Sequence, residues 1–124
     1  MIKKFLTNNG DYFYFAFRVI IGILFILHGW MKVSAIMVGK MELISLMGLA
    51  GVIETVGGLF IVIGLLTQWT ALIAAIQMAF AYFMAHASNG LSPLANKGEP
   101  AVLFFAAFLV LAAFGARKWA LDKR

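Results

Sequence analysis

Apolar residues run along this chain in four long segments that short polar stretches separate. Each segment is close to the ~20 residues that an α-helix needs to cross the hydrocarbon core of a bilayer, although the fourth is short. Backbone groups in lipid must form their hydrogen bonds within the segment, so these segments are predicted to be helices. The fold class is therefore all-α, an integral membrane four-helix bundle in a single domain over residues 1–124. The predicted spans cover residues 12–32, 43–66, 69–87 and 101–116.

The connections between the spans differ in length and character. Only Thr67 and Gln68 separate the second span from the third, which predicts a tight antiparallel hairpin. Residues 88–100 form the one polar loop with glycine and proline, and Pro100 suits the first turn of the fourth helix.

Composition supports a membrane protein. Hydrophobic residues make up 64% of the chain and charged residues 12%, and the mean hydropathy is +0.98. Soluble domains have only about 45–50% apolar residues. The chain has no cysteine, which excludes disulfides and thiol chemistry. The net charge of +5 is concentrated at the chain ends, a pattern typical of cytoplasmic flanks, so no nucleic-acid partner is predicted.

Lysine and arginine also predict the orientation. Lys40 and Lys97 lie on one side of the membrane, with Lys32 at its border. The positive-inside rule places the opposite, more basic side in the cytoplasm, and with it both termini. The basic residues on that side are Lys3, Lys4, Arg117, Lys118, Lys123 and Arg124.

One carboxylate, Glu54, lies in the apolar second span. Gly51 and Gly58 share its helix face, which favours close packing against another helix and points Glu54 into the bundle. At 1.5 Å per residue, Arg18, Glu54 and Gln77 lie ~10, ~13 and ~12 Å from the predicted inner border. We therefore expect a buried ion pair between Arg18 and Glu54. Such a pair either only fixes the packing of the helices or forms part of a functional site within the membrane.

A second polar layer is predicted near the outer face. His28 and His86 both lie ~25 Å from the inner border, and Lys32 follows His28 by one turn. Together with Glu99 they are expected to surround an outward-facing pocket. Because neither an HxxxH nor an HxxE spacing occurs, no metal site is predicted. These side chains would either bind a small organic ligand or simply reach toward lipid headgroups.

Several of these residues form a familiar pattern. The chain contains Arg18, HGWMK from His28, ETVGGLFIVIGLLT from Glu54, Glu99, and WALD from Trp119 to Asp122. Over about residues 15–122 it resembles the DoxX/DoxD-like family of small four-helix membrane proteins. That family usually has a serine where this chain has Ala120, so a role for the hydroxyl does not carry over. The segment between the first two spans is also short, which leaves little chain for a lid.

The resemblance implies a multi-pass protein of the bacterial cytoplasmic (inner) membrane. One branch of the family resembles the small subunit of a thiosulfate:quinone oxidoreductase. Others are linked to resistance to quinones or oxidative stress, or to assembly of membrane complexes, and eukaryotic relatives act as chaperones. Fold analogy alone does not assign an activity.

Two functional hypotheses follow. In the first, the chain is an oxidoreductase-associated subunit that binds quinone in an intrabundle pocket, with His28 and Lys32 donating to a quinone carbonyl and His86 or Glu99 relaying protons. Electrons would come from a redox partner protein or another membrane subunit, since no flavin or haem motif is evident. In the second, the chain is a non-catalytic chaperone or assembly partner. The sequence leaves catalysis, cofactor and homo-oligomerisation open. The candidate ligand-binding residues are Arg18, His28, Lys32, Glu54, Gln77, His86 and Glu99.

Overall fold

A computed structural model describes residues 1–123, and Arg124, one of the predicted cytoplasmic cations, lies outside this range. Within it the chain forms helices and connecting segments. A π-helical turn, Tyr82–His86, and a 3₁₀ turn, Ala87–Asn89, extend the fourth α-helix. The α-helices are α1 (Ile2–Asn8), α2 (Gly10–Met37), α3 (Leu46–Ile63), α4 (Thr67–Ala81) and α5 (Glu99–Phe114).

The predicted all-α membrane bundle is confirmed, with differences at the helix ends. Among residues 1–123, three helical stretches are long and apolar enough to cross a membrane: 10–37, 46–63 and 67–89. The fourth, α5, has 16 residues and is shorter, as its apolar segment indicated. The orientation of the termini stays a prediction.

Local sequence explains where α3 begins and ends. The Ser45 side chain accepts a hydrogen bond from the Gly48 backbone N–H at 3.0 Å, which caps the first turn. Gly64 ends the helix in the left-handed conformation, with φ of 70°, which glycine adopts without steric cost.

Helices α2 and α3 approach each other at glycines. A Cβ atom on Gly58 would lie 2.7 Å from the Gly22 carbonyl oxygen, and one on Gly29 would lie 2.5 Å from the Thr55 nitrogen. Both contacts involve backbone atoms, which cannot move aside as a side chain does. The predicted glycine-lined face of α3 is therefore real, and α2 is the helix that packs on it.

The apolar core lies between this pair and the pair formed by α4 and α5. Phe25 of α2 contacts two rings of α5, with centroid distances of 5.4 Å to Phe104 and 4.7 Å to Phe108. Helix α4 contributes mainly small residues to the core, among them Ala71 and Ala74. Small residues let helix backbones pack closely in a membrane, where lipid offers no hydrophobic drive for association.

Two adjacent glycines of α3 provide a matched test of this packing. Gly58→Ala is expected to destabilise the bundle by about 1–3 kcal/mol, because the methyl group would overlap the α2 backbone. Gly57→Ala is expected to be neutral, since its nearest contact would be an ordinary 3.5 Å to Thr70. Thermal unfolding in detergent measures both. Equal unfolding temperatures for the two variants would contradict the close α2–α3 contact.

Candidate functional site

Glu54 pairs with Lys32. The Lys32 Nζ atom lies 2.9 Å from Oε1 and 2.5 Å from Oε2 of Glu54. The Glu54 side chain is 2% exposed and that of Lys32 is 21% exposed. The absence of a Cβ at Gly29 and Gly51 brings α2 close enough for this pair, because a Cβ on Gly51 would meet Lys32 Cβ at 2.6 Å. Glu54 points into the bundle, as the glycine spacing predicted.

The predicted ion pair between Arg18 and Glu54 is wrong. Arg18 is completely buried, and its guanidinium group donates to four backbone carbonyl oxygens. Nη1 lies 2.7 Å from the Ala116 oxygen and 3.0 Å from that of Lys118. Nη2 lies 2.7 Å from the Trp119 oxygen and 3.2 Å from that of Val62. Arg18 thus joins α2 to the end of α3 and to the segment that follows α5.

Unequal helix lengths explain the error. Depth counted from apolar borders assumes that both helices start at the bilayer surface. However, α2 has 28 residues and α3 has 18, so they are about 42 and 27 Å long. Glycine contacts set the register instead, and they place Glu54 beside Gly29. Arg18 is level with Val62, about two turns further along α3.

The segment after α5, residues 115–122, is shaped around the Arg18 side chain. Arg117 and Trp119 have positive φ values of 61° and 57°, which are unfavourable for side chains of this size. Each costs on the order of 1–3 kcal/mol. In this conformation three carbonyls of the segment converge on one cation, and hydrogen bonds to charged groups are the stronger kind. The Tyr14 hydroxyl adds a fourth hydrogen bond from α2 to this segment, donating to the Gly115 oxygen at 2.5 Å.

The same segment also caps the turn between α3 and α4. The Asp122 N–H donates to the Gly64 oxygen at 2.8 Å. The Asp122 carboxylate accepts from the N–H groups of Leu66 at 2.6 Å and Thr67 at 2.9 Å, which start α4. Ala120 packs against Gly64, so a small side chain fits where the family usually has serine.

The charge of Asp122 is stabilised at this position. Partial burial raises the pKa of the carboxyl, but hydrogen bonds from Thr67 and Leu66 and the charge of Arg18 outweigh burial, and the pKa is lowered. A carboxyl whose pKa is lower in the folded state stabilises the fold above its unfolded pKa of about 3.9. That contribution is lost as pH falls through the folded pKa. The cap is therefore fully charged at neutral pH.

His86 belongs to a different environment from His28. Its Nδ1 lies 3.2 Å from the Asn96 carbonyl oxygen, in the loop before α5. The Asn96 side chain organises this loop by donating to the Gly90 oxygen at 2.8 Å and accepting from the Gly98 N–H at 2.8 Å. His86 also ends the π-helical turn, a form that is frequent at functional sites. Here the turn places the His86 side chain against the loop before α5.

An apolar groove of about 340 Å³ runs between α2 and α5. It is the place where His28 and Glu99 come together, as the polar-layer prediction expected for these two residues. The His28 ring contacts the Phe104 ring edge to face, with a centroid distance of 5.3 Å. Both His28 and Glu99 are exposed. The other lining residues are Ile21, Leu24, Pro100, Leu103 and Phe104.

The predicted site residues thus occupy separate places. His28 and Glu99 share the groove, Lys32 and Glu54 form the buried pair, and Gln77 lies on α4. The Gln77 Oε1 atom is buried and makes no hydrogen bond within residues 1–123. Sequence reasoning did not identify the carbonyl acceptors of Arg18. It also missed the capping of α4 by Asp122 and the hydrogen bonds of the Asn96 side chain within the loop before α5. The WALD motif was the available signal for Asp122.

Four apolar helices with buried charges between them define the class, a small multi-pass helical membrane protein. The DoxX family model matches residues 13–87, which is more than half of the chain. An uncharacterized protein from Haemophilus influenzae is 36% identical, with the match covering 96% of this chain and 95% of that protein. The chain belongs to the DoxX family. No solved structure matches it.

Proposed function

We propose that this protein binds a quinone-class ring in the groove between α2 and α5, as a membrane subunit associated with an oxidoreductase. One observation carries the proposal: an apolar groove has an imidazole and a carboxylate, His28 and Glu99, in its walls. Small-molecule sites combine apolar walls with a few polar groups that orient the ligand. The volume of about 340 Å³ also falls within the ~300–1,000 Å³ of such sites.

The two polar groups suit the two ends of a quinone redox couple. A neutral His28 ring has one N–H that can donate to a quinone carbonyl oxygen. An ionised Glu99 only accepts, so it favours the hydroxyl of the reduced ring, whereas a protonated Glu99 can donate to a carbonyl. Phe104 supplies an aromatic surface beside His28 for the ring. Reduction takes two electrons and two protons, and the electrons would come from a partner protein.

The position of the groove fits a ligand that arrives from lipid. Helix α2 packs mainly on α3, and α5 packs mainly on α4, so the seam between α2 and α5 is the less closely packed one. Leu24 and Leu103 line this seam and are exposed. An isoprenoid tail could lie along them in the bilayer while the ring sits between His28 and Glu99. In this proposal Lys32 and Glu54 hold α2 in place and do not contact the ligand.

Purification from native membranes in mild detergent tests the proposal. We expect an isoprenoid quinone to copurify, detected by ultraviolet absorbance and mass spectrometry of the extracted lipids. His28→Ala should lower quinone affinity about fivefold, the effect of one lost hydrogen bond of about 1 kcal/mol. His86→Ala is the matched control, because it removes a histidine outside the groove, and its quinone content should equal that of the wild type.

Two results would contradict quinone binding at this groove. One is the absence of quinone from wild-type protein together with stoichiometric copurification of another membrane protein, which would favour the assembly-partner hypothesis. The other is equal loss of quinone in the His28→Ala and His86→Ala variants.

A further inference from the structure

A second cavity lies at the opposite end of the bundle from the His28–Glu99 groove. It has a volume of about 480 Å³ and is open to the outside. The α3–α4 turn forms one wall, and the end of α5 with the segment that follows it forms the other. The lining includes Leu66, Trp69, Phe114, Arg117, Asp122 and Lys123.

The charges in this cavity favour an anion. Arg117 and Lys123 line it. Arg117 forms a cation–π contact with the Tyr14 ring, whose centroid lies 5.4 Å from the guanidinium carbon. Among the described residues the lining contains one carboxylate, that of Asp122, and both of its oxygens accept backbone N–H groups of the α3–α4 turn. Lys118 lies nearby and forms an ion pair with Asp11 at 2.9 Å. Within residues 1–123, Arg117 and Lys123 are therefore the cations that remain to act on a ligand in the cavity.

Apolar side chains beside these cations point to an amphiphile. Leu66, Trp69 and Phe114 line the same cavity and are exposed. Trp69 is in the first turn of α4, one of the membrane-crossing helices, and tryptophan is enriched where a bilayer meets water. A soluble anion would gain nothing from these three side chains, whereas acyl chains would cover them.

We propose that this cavity binds the phosphate group of an anionic phospholipid, with Arg117 and Lys123 contacting the phosphate and the acyl chains lying against Trp69 and Phe114. Basic pockets at the membrane surface bind anionic headgroups in this way. The site is independent of the proposed quinone groove, because the two cavities share no lining residue.

Native mass spectrometry of the detergent-solubilised chain tests the proposal by titration with phosphatidylglycerol and, separately, with phosphatidylcholine of the same acyl chains. Wild-type protein should bind phosphatidylglycerol at least tenfold more tightly. The double variant Arg117→Gln/Lys123→Gln should lose roughly 30-fold in affinity for phosphatidylglycerol, the combined effect of two basic residues near a charged lipid surface. Lys123→Gln alone, which keeps the contact between Arg117 and Tyr14, should lose about fivefold.

Lys3→Gln/Lys4→Gln is the charge-matched control. It removes two positive charges from α1, outside the cavity, and should change phosphatidylglycerol affinity less than twofold. A loss in this control as large as in the cavity variant would overturn the proposal, as would equal binding of the two lipids by the wild type. Displacement of the lipid by equimolar glycerol phosphate or inorganic phosphate would assign the cavity to a soluble phosphate compound and overturn the lipid assignment.

Discussion

Replacing Arg18 by methionine is expected to lower the free energy of unfolding by at least about 3 kcal/mol and to release the segment after α5. Methionine has no donors, so the carbonyls of Val62, Ala116, Lys118 and Trp119 lose their partner. A buried acceptor left without a hydrogen bond costs about 1–3 kcal/mol. The positive-φ residues Arg117 and Trp119 would then lose the Arg18 hydrogen bonds around them that offset their strain, so this part of the segment should open to protease.

Two measurements check this result together. Thermal unfolding in detergent reports the loss of stability, and limited trypsin digestion reports release of the segment, because cleavage follows Arg117 and Lys118. Arg18→Lys should give an intermediate result, since lysine keeps the charge but lacks the planar fork that reaches four acceptors. Lys4→Met, at an exposed position, should stay within ~0.5 kcal/mol of the wild type. Unchanged protease resistance in Arg18→Met would show that other contacts hold the segment.

Replacing Lys32 by methionine is expected to cost about 3–5 kcal/mol, because it leaves the Glu54 carboxylate buried without a counter-ion. Removing the carboxylate as well should recover most of that loss. The double variant Lys32→Met/Glu54→Leu is therefore expected to unfold close to the wild-type temperature, since apolar replacement of a buried ion pair is often neutral or stabilising.

The double variant also separates packing from ligand binding. If it retains wild-type quinone content as well as stability, the Lys32–Glu54 pair serves to hold α2 against α3. If stability returns but quinone is lost, the pair belongs to the ligand site and the assignment of the groove to His28 and Glu99 alone is wrong. A double variant no more stable than Lys32→Met would contradict the ion-pair explanation itself.

Hydropathy was sufficient to predict the fold, because the bilayer imposes both the length of each span and its helical form. Glycine spacing was sufficient to predict that Glu54 faces a neighbouring helix. The identity of its partner required the register between α2 and α3, which depends on where glycine backbones touch. Apolar borders carry no such information when one helix is ten residues longer than the other.

The sequence predicted part of the candidate site, because depth along a helix can be estimated from residue number. Glu99 begins α5 and His28 lies near the outer border of the predicted first span, residues 12–32, so a coarse estimate of depth already placed them in one layer. The partners of Arg18 could not be predicted, since backbone carbonyls are present at every residue and only their three-dimensional arrangement selects four of them. His86 was placed in that layer without knowledge of the Asn96 loop, which holds its ring by a backbone contact.

The segment that meets Arg18 has a consequence for biosynthesis. Residues 115–122 are made after all four membrane helices, yet they supply the N-terminal cap of α4 and carbonyl partners for α2. The α3–α4 turn is therefore synthesised before the groups that cap it exist. A chain whose synthesis stops at Phe114 contains every membrane helix and lacks the contacts that join their ends.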